Sequence, residues 1–342
     1  MDQNKPFSPP SWLRGAHAQT IWSPLVRRSS QIQRHRERLH WDDGDFIDLD
    51  WCGRNTRSPL VALLHGLTGS SDSKYIIGLQ HQLAVLDWQS VVINFRGCSG
   101  EPNHLPRSYH SGDSGELDAI LKHLKKNYPN RQLAAVGYSL GGNVLLKYQG
   151  EQAQNSLLDC AVAVSVPFRL DLCAEQMNRG FSRIYRNRFI RQLEEQMQEK
   201  LNFFHKRDWK DRARALHTIV NQGPMTTFQE FDHRVTAPLH GFKSGDDYYR
   251  QSSCRYYLKT VARPTLILHS KDDPFMTPDT VPDRSELSQD ICLELTERGG
   301  HVGFISARTG SRVGYWLEQR IPAFLQSHMT ESSYSPIPQS TG

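Results

Sequence analysis

The sharpest chemical pattern in this chain is Gly137-Tyr138-Ser139-Leu140-Gly141, followed by Gly142. Glycine and serine are common, so the pattern alone says little, but its setting is specific. QLAAVGY (132–138) reads as a buried strand, and the residues from about 140 to 150 read as a helix. A serine on a tight strand-to-helix turn is held in a strained backbone conformation, and flanking glycines let neighbouring backbone approach it. Its hydroxyl then stands clear of the strand, at a helix N-terminus where free amides and the helix dipole favour negative charge. That suits nucleophilic attack on a carbonyl carbon. The plainer alternative is an ordinary glycine-rich turn.

Serine is a poor nucleophile until a base takes its proton. A strand–turn–helix nucleophile is followed in the chain by an acid and then a histidine. Downstream of Ser139 lie His205, His217, His233, His240, His269, His301 and His328. The first four fall in a helical stretch, His269 ends a strand, and His328 belongs to the tail. His301 follows Gly299-Gly300 just after the last strand, on a loop that can carry an imidazole over the serine. The acid should follow the penultimate strand, where LILHSKDDPFM offers Asp272 and Asp273. Asp273, just before Pro-Phe-Met, is preferred as the group that orients the imidazole. Asp272 could cap the turn, or the two could exchange roles. His65-Gly66-Leu67-Thr68-Gly69, after the first buried strand, would turn the chain so that the Leu67 amide faces the oxyanion, with the Leu140 amide as second donor. His65 would brace that loop. Cys98, in RGCSG (96–100), reads as a small packing residue, not a second nucleophile.

The elements that must position these groups follow from hydrophobic periodicity. Residues 1–30 read as irregular, broken by Pro6, Pro9, Pro10 and Pro24, and 37–51 as a hairpin around Asp43-Gly44. From about residue 59, short apolar runs alternate with helical stretches: strands near 59–65, 90–95, 132–138 and 160–166, and helices near 74–87, 113–127 and 140–150. Continuous Val/Ala/Leu runs are what strands buried on both faces require. Repeated strand–helix–strand units imply an α/β fold: a mostly parallel sheet with helices on both faces. The rhythm breaks after Pro167. The economical division is a core from 1–167 and 246–328, a helical cap or lid at 168–245, and a disordered tail at 329–342. RPTLILH (263–269) and ICLELTE (291–297) complete the sheet, and a helix near 311–327 closes it.

Composition narrows the class. Among 342 residues, 37% are hydrophobic and 23% charged, as in a soluble globular protein. Mean hydropathy is −0.59, and no run of 18 apolar residues suggests a membrane span. The N-terminal residues do not read as a signal peptide, so a cytoplasmic address is expected. The six cysteines show no CxxC spacing and are expected to be free thiols. The net charge of +5 is mild. Dense arginines at 34–38 and 179–191 read as solvated helix faces or a patch that could meet an anionic surface, which leaves weak peripheral contact with lipid headgroups open. No nucleic-acid motif, P-loop or metal-ligand spacing is seen, so neither nucleic acid nor metal nor cofactor is expected.

Taken together, HGLTG (65–69), NFRGCSGEPN (94–103), YHSGD (109–113), AAVGYSLGGN (134–143), HGF (240–242), DYYRQ (247–251), PTLILHSKDDPFM (264–276) and GGHVGF (299–304) resemble the YheT-like branch of the α/β hydrolases, a branch that includes eukaryotic α/β-hydrolase-domain relatives. The stretches span most of the chain, in order. The resemblance implies an α/β-hydrolase fold and a Ser139–Asp273–His301 triad that hydrolyses carboxylic esters without a cofactor. Bacterial members are similar to carboxylesterases of short-to-medium acyl chains, while some eukaryotic relatives act on phospholipids or transfer acyl groups to alcohols. The rival readings are therefore an acyltransferase or lipid esterase and, more remotely, a non-catalytic binding protein. Phe181, Phe189, Phe203 and Phe204 could line an acyl pocket, though packing the lid's own core is the better reading for most of them.

Overall fold

The computed structural model describes residues 6–28, 30–220, 223–307 and 313–329. Helix α1 (Ala16–Val26) precedes a hairpin of β1 (His35–His40) and β2 (Phe46–Cys52). Then come β3 (Leu60–Leu64), α2 (Lys74–Val85), β4 (Gln89–Asn94), α3 (Ser114–Asn127), β5 (Leu133–Tyr138), α4 (Leu140–Gln152) and β6 (Cys160–Val164). A helical region follows: α5 (Leu170–Gln176), α6 (Ser182–Lys206), α7 (Lys210–Val220), α8 (Phe228–Phe231), a π-helical turn (Asp232–Thr236), α9 (Ala237–His240) and α10 (Gly245–Ser252). The sheet resumes with β7 (Thr265–Ser270) and β8 (Ile291–Thr296), and a small pair, β9 (Ile305–Ala307) and β10 (Val313–Tyr315), leads into α11 (Leu317–His328).

The main sheet runs β1-β2-β4-β3-β5-β6-β7-β8. Of these eight strands only β2 runs against the others; from β4 to β8 every pairing is parallel. The apolar runs of the central strands are explained by burial on both faces. On β3, Leu60, Ala62 and Leu64 enter the layer shared with α3 and α4, while Val61 and Leu63 enter the layer shared with α2 and α11. Alternate residues of a strand point to opposite faces, so a polar residue without a partner would be stranded on either one.

The hairpin explains one arginine cluster differently from a helix face. Arg36 and Arg38 stand opposite Asp50 and Asp48 in the β1–β2 register. Each guanidinium grips its carboxylate with two bonds, at 2.7 and 2.8 Å for Arg36 and 2.7 and 2.9 Å for Arg38. These are cross-strand ion pairs over buried carboxylates.

Helix α6, 25 residues long, places Ile190, Met197, Leu201 and Phe204 along one stripe. They meet Ala213 and Leu216 of α7, then Met225, Phe231 and Val235, so the inserted helices have a core of their own. Phe204 is fully buried there with Phe203 beside it, whereas Phe181 is half exposed. Helical structure runs past residue 245 through α10, which packs on α5.

Three local expectations are corrected. Residues 1–30 are not all irregular: α1 forms although Pro24, in its last turn, cannot donate back to the Thr20 carbonyl, and the helix ends two residues later. The closing helix starts at Leu317, because Val313–Tyr315 pair with Ile305–Ala307 as strands. Met329, assigned to the disordered tail, is buried in the core beside α11, and His328 is the last residue of that helix. The rest of the tail lies outside the described residues.

Candidate active site

Ser139 occupies the turn between β5 and α4 with φ 51° and ψ −119°. A non-glycine residue in that region is strained, by about 1–3 kcal/mol, and persists only where its surroundings fix it. The Ser139 amide donates to the Val164 carbonyl at 2.8 Å, extending the β5–β6 ladder by one bond, and Asn143 N–H returns to the Ser139 carbonyl at 3.0 Å. The glycines serve close approach: a Cβ on Gly137 would lie 2.4 Å from the Gly141 oxygen, and one on Gly141 2.6 Å from the His65 oxygen. Any side chain there would push α4 off the sheet.

The three predicted groups meet. His301 Nε2 lies 2.9 Å from Ser139 Oγ, and His301 Nδ1 lies 2.7 Å from Asp273 Oδ2. A carboxylate can only accept, so Nδ1 carries the proton and Nε2 is free to accept from the hydroxyl. Asp273 is buried, and its Oδ1 accepts the Phe275 N–H at 2.9 Å. Asp272 points elsewhere and accepts the Gly300 N–H at 2.9 Å; burial raises its pKa. The two adjacent carboxylates thus divide the work, one on the ring and one on the loop that carries it. The Phe275 ring stacks at 4.2 Å from the imidazole, and Tyr185 and Phe189 of α6 lie against Phe275. Of the four phenylalanines named from sequence, Phe189 reaches this neighbourhood.

The loop after β3 runs beside the serine: a Cβ on Gly66 would sit 3.3 Å from Ser139 Cβ. Its amides are arranged so that one is left over. Gly66 N–H donates to the Tyr75 hydroxyl and Thr68 N–H to the Tyr109 hydroxyl, each at 2.9 Å. The Leu67 N–H between them has no partner among the described residues. Leu140 is the first residue of α4, and its amide has no acceptor one turn back. His65, fully buried, donates from Nδ1 to the Gly66 carbonyl at 2.8 Å and accepts the Phe95 N–H on Nε2 at 3.1 Å. Burial pushes its pKa down to about 4, so it stays neutral and braces the loop. Tyr75 and Tyr109 were not singled out from sequence. Tyr109 falls within the YHSGD stretch, but nothing local marks Tyr75.

The other candidates do not reach the serine. Cys98 is buried, and desolvation pushes its thiol up to about 12, which suits packing and not nucleophilic attack. His269 is buried against Phe168, with a pKa lowered by burial to about 4. His240 lies tilted against His110 with ring centroids 4.5 Å apart, and burial lowers the pKa of both to about 3.

A strained serine after a central parallel strand, backed by an imidazole and a buried carboxylate from later loops, is the arrangement of the α/β hydrolases. The family model described as alpha/beta hydrolase fold matches residues 59–307, and the chain belongs to that family. Within it the chain belongs with the YheT-like proteins, as the motif resemblance implied. It is 37% identical over 330 residues to YheT of Escherichia coli (strain K12), whose name provisionally assigns it as an esterase; the match covers 96% of this chain and 95% of that one. It is 30% identical to the mouse (Mus musculus) phospholipase ABHD3, over 92% of this chain and 75% of the relative. An esterase of Pyrococcus furiosus shares the fold with a TM-score of 0.54 at 15% identity, covering 96% of this chain and 98% of that one. Among the described residues no helix is long and apolar enough to cross a membrane.

Proposed function

We propose that this chain is a serine hydrolase of carboxylic esters, with Ser139 as nucleophile, His301 as general base and Asp273 as the group that orients it. The observation that carries the proposal is the unbroken hydrogen-bond line from Ser139 Oγ through both ring nitrogens of His301 to Asp273. In the first half-reaction Ser139 Oγ bonds to the ester carbonyl carbon while His301 Nε2 takes its proton. The resulting oxyanion accepts from the Leu67 and Leu140 amides, each worth about 3 kcal/mol of transition-state stabilisation. The C–O bond to the alcohol then breaks, and His301 returns the proton to the departing oxygen. In the second half-reaction water attacks the acyl-enzyme, with His301 again as base, and the acid leaves.

The relatives' names, esterase and phospholipase, support the ester class. Short-to-medium acyl esters are the substrate we infer, with α5–α9 acting as a lid and Phe189, Tyr185 and Phe275 as the apolar wall beside His301. Five buried, unpaired cysteines fit a reducing, cytoplasmic setting. The test is an acyl-length series of p-nitrophenyl esters on wild type, Ser139→Ala and His301→Ala, with fluorophosphonate labelling alongside. Both variants should lose turnover, and Ser139→Ala should lose labelling. Equal labelling of Ser139→Ala would end the proposal.

A further inference from the structure

We propose that Thr20, on the first helix, is a positioning residue for His301, and that with Ser165 and Asp272 it forms a three-point clamp on the histidine loop; this rests on the serine-hydrolase reading above. Three consecutive loop amides are each taken by a side-chain oxygen from a different part of the chain. Gly300 N–H donates to Asp272 Oδ1 at 2.9 Å, His301 N–H to Thr20 Oγ1 at 2.9 Å, and Val302 N–H to Ser165 Oγ at 3.0 Å. Asp272 lies in the turn after β7, Ser165 in the turn after β6, and Thr20 in α1. These residues of the loop have no strand neighbour, so their part-buried amides take side-chain acceptors instead. Here the acceptors are the means by which three segments fix one backbone.

The direction of the Thr20 bond is set by its own proton. The hydroxyl donates to the Ala16 carbonyl at 2.8 Å, which leaves its lone pairs for His301. Gln19, next to it, grips the far end of the loop by both edges of Ile305: Oε1 accepts the Ile305 N–H at 2.7 Å, and Nε2 donates to the Ile305 carbonyl at 3.1 Å. Helix and loop touch backbone to backbone. A Cβ on Gly300 would lie 2.5 Å from the Ala16 oxygen, and one on Gly303 2.6 Å from the Gln19 oxygen.

The loop needs this restraint. Val302 and Phe304 hold φ of 56° and 45°, and Ser165 itself holds 50°, all in the left-handed region that non-glycine residues avoid. A loop so strained would relax if its amides were released. The imidazole must satisfy two short bonds at opposite ends of one ring, so a tilt of the His301 backbone cannot preserve both. A displacement of about 1 Å in such a group can cost about a hundredfold in rate.

The experiment compares wild type with Thr20→Val, Thr20→Ser, Ser165→Ala and Ser139→Ala. It measures kcat, KM, melting temperature and the rate of fluorophosphonate labelling. Thr20→Val is nearly isosteric and removes the hydroxyl, and with it both the acceptor for the His301 N–H and the donor to the Ala16 carbonyl. Kcat and the labelling rate should fall about ten- to a hundredfold with KM unchanged and the protein still folded. Thr20→Ser should return to within about threefold of wild type. Ser165→Ala should lose kcat in the same way, and it decides the matter if Thr20→Val does not fold. Wild-type kcat in Thr20→Val or, failing that variant, in Ser165→Ala overturns the clamp. So does a Thr20→Ser variant as slow as Thr20→Val, or a loss that merely follows the unfolded fraction. An inert Ser139→Ala beside a fully active Thr20→Val sinks the clamp alone; an active, labelled Ser139→Ala sinks the serine-hydrolase reading and the clamp with it.

Discussion

Replacing Asp273 by asparagine tests the site most sharply, because the structure dictates how the new amide must sit. Asp273 Oδ1 accepts the Phe275 N–H at 2.9 Å, and Oδ2 faces His301 Nδ1 at 2.7 Å. The backbone amide of Phe275 can only donate, so the asparagine must keep its oxygen on that side. Its NH₂ then takes the place of Oδ2 and points at Nδ1. Two donors cannot share that contact, so Nδ1 gives up its proton and the ring carries it on Nε2. The hydroxyl of Ser139, 2.9 Å away, now faces an N–H and has no base. Loss of the correct tautomer costs about 10⁴-fold in kcat, equivalent to about 5 kcal/mol, while substrate binding is untouched. Asp272→Asn is the control. Its side-chain oxygen can still accept the Gly300 N–H, so kcat should stay within a few-fold. Steady-state kinetics on a p-nitrophenyl ester, with melting temperatures alongside, measure both. Asp273→Asn within tenfold of wild type, or a larger loss in folded Asp272→Asn, would refute this assignment of the two carboxylates.

Removing the hydroxyl that holds the oxyanion loop should act on rate more than on stability: Tyr109→Phe frees the Thr68 N–H and should lower kcat about tenfold with little change in KM. Wild-type kcat in that variant would show that the loop needs no such tether. Among the described residues Asp232, part-buried in the π-helical turn, has the Thr236 and Tyr249 hydroxyls on its oxygens, and desolvation raises its pKa to about 6. The folded state therefore holds this proton more tightly than the unfolded chain, so stability falls as pH rises from about 4 to 6. Asp232→Asn should accordingly raise the melting temperature at pH 7.5, by up to about 3 kcal/mol in stability, and the gain should vanish near pH 4; a gain independent of pH would count against burial as its cause. Phe204→Ala empties the centre of the inserted helices and should cost about 3–5 kcal/mol, read as faster hydrogen exchange in α6 and α7 and not in β3–β7.

Much of the scaffold was legible because its signals are local. Strands buried on both faces carry continuous apolar runs, and β3, β4, β5 and β6 were read from such runs, with the polar residues of β4 at its two ends. Other features depend on partners far away in the chain. The arginines at 36 and 38 looked like a surface cluster until the hairpin register set them against Asp50 and Asp48. Tyr75 and Tyr109 hold the loop at 66–68 through hydroxyls from separate elements, and nothing in their neighbours reveals it. Helix α1 was hidden by surrounding prolines, and β9 and β10 by being three residues each, too short for a period to register.

By itself the sequence determined which chemistry was available: a serine on a glycine-flanked strand-to-helix turn, a histidine after the last long strand, and two carboxylates after the one before it. Backbone sterics and hydrophobic period impose those features within a few residues, so they can be read in place. Only the tertiary structure decided which carboxylate faces the ring, which amide is left unpaired beside Ser139, and that a helix near the N-terminus holds the histidine backbone. Those are matters of direction at hydrogen-bond range, fixed by how the sheet, its loops and α1 pack together, and spacing along a chain carries no record of them.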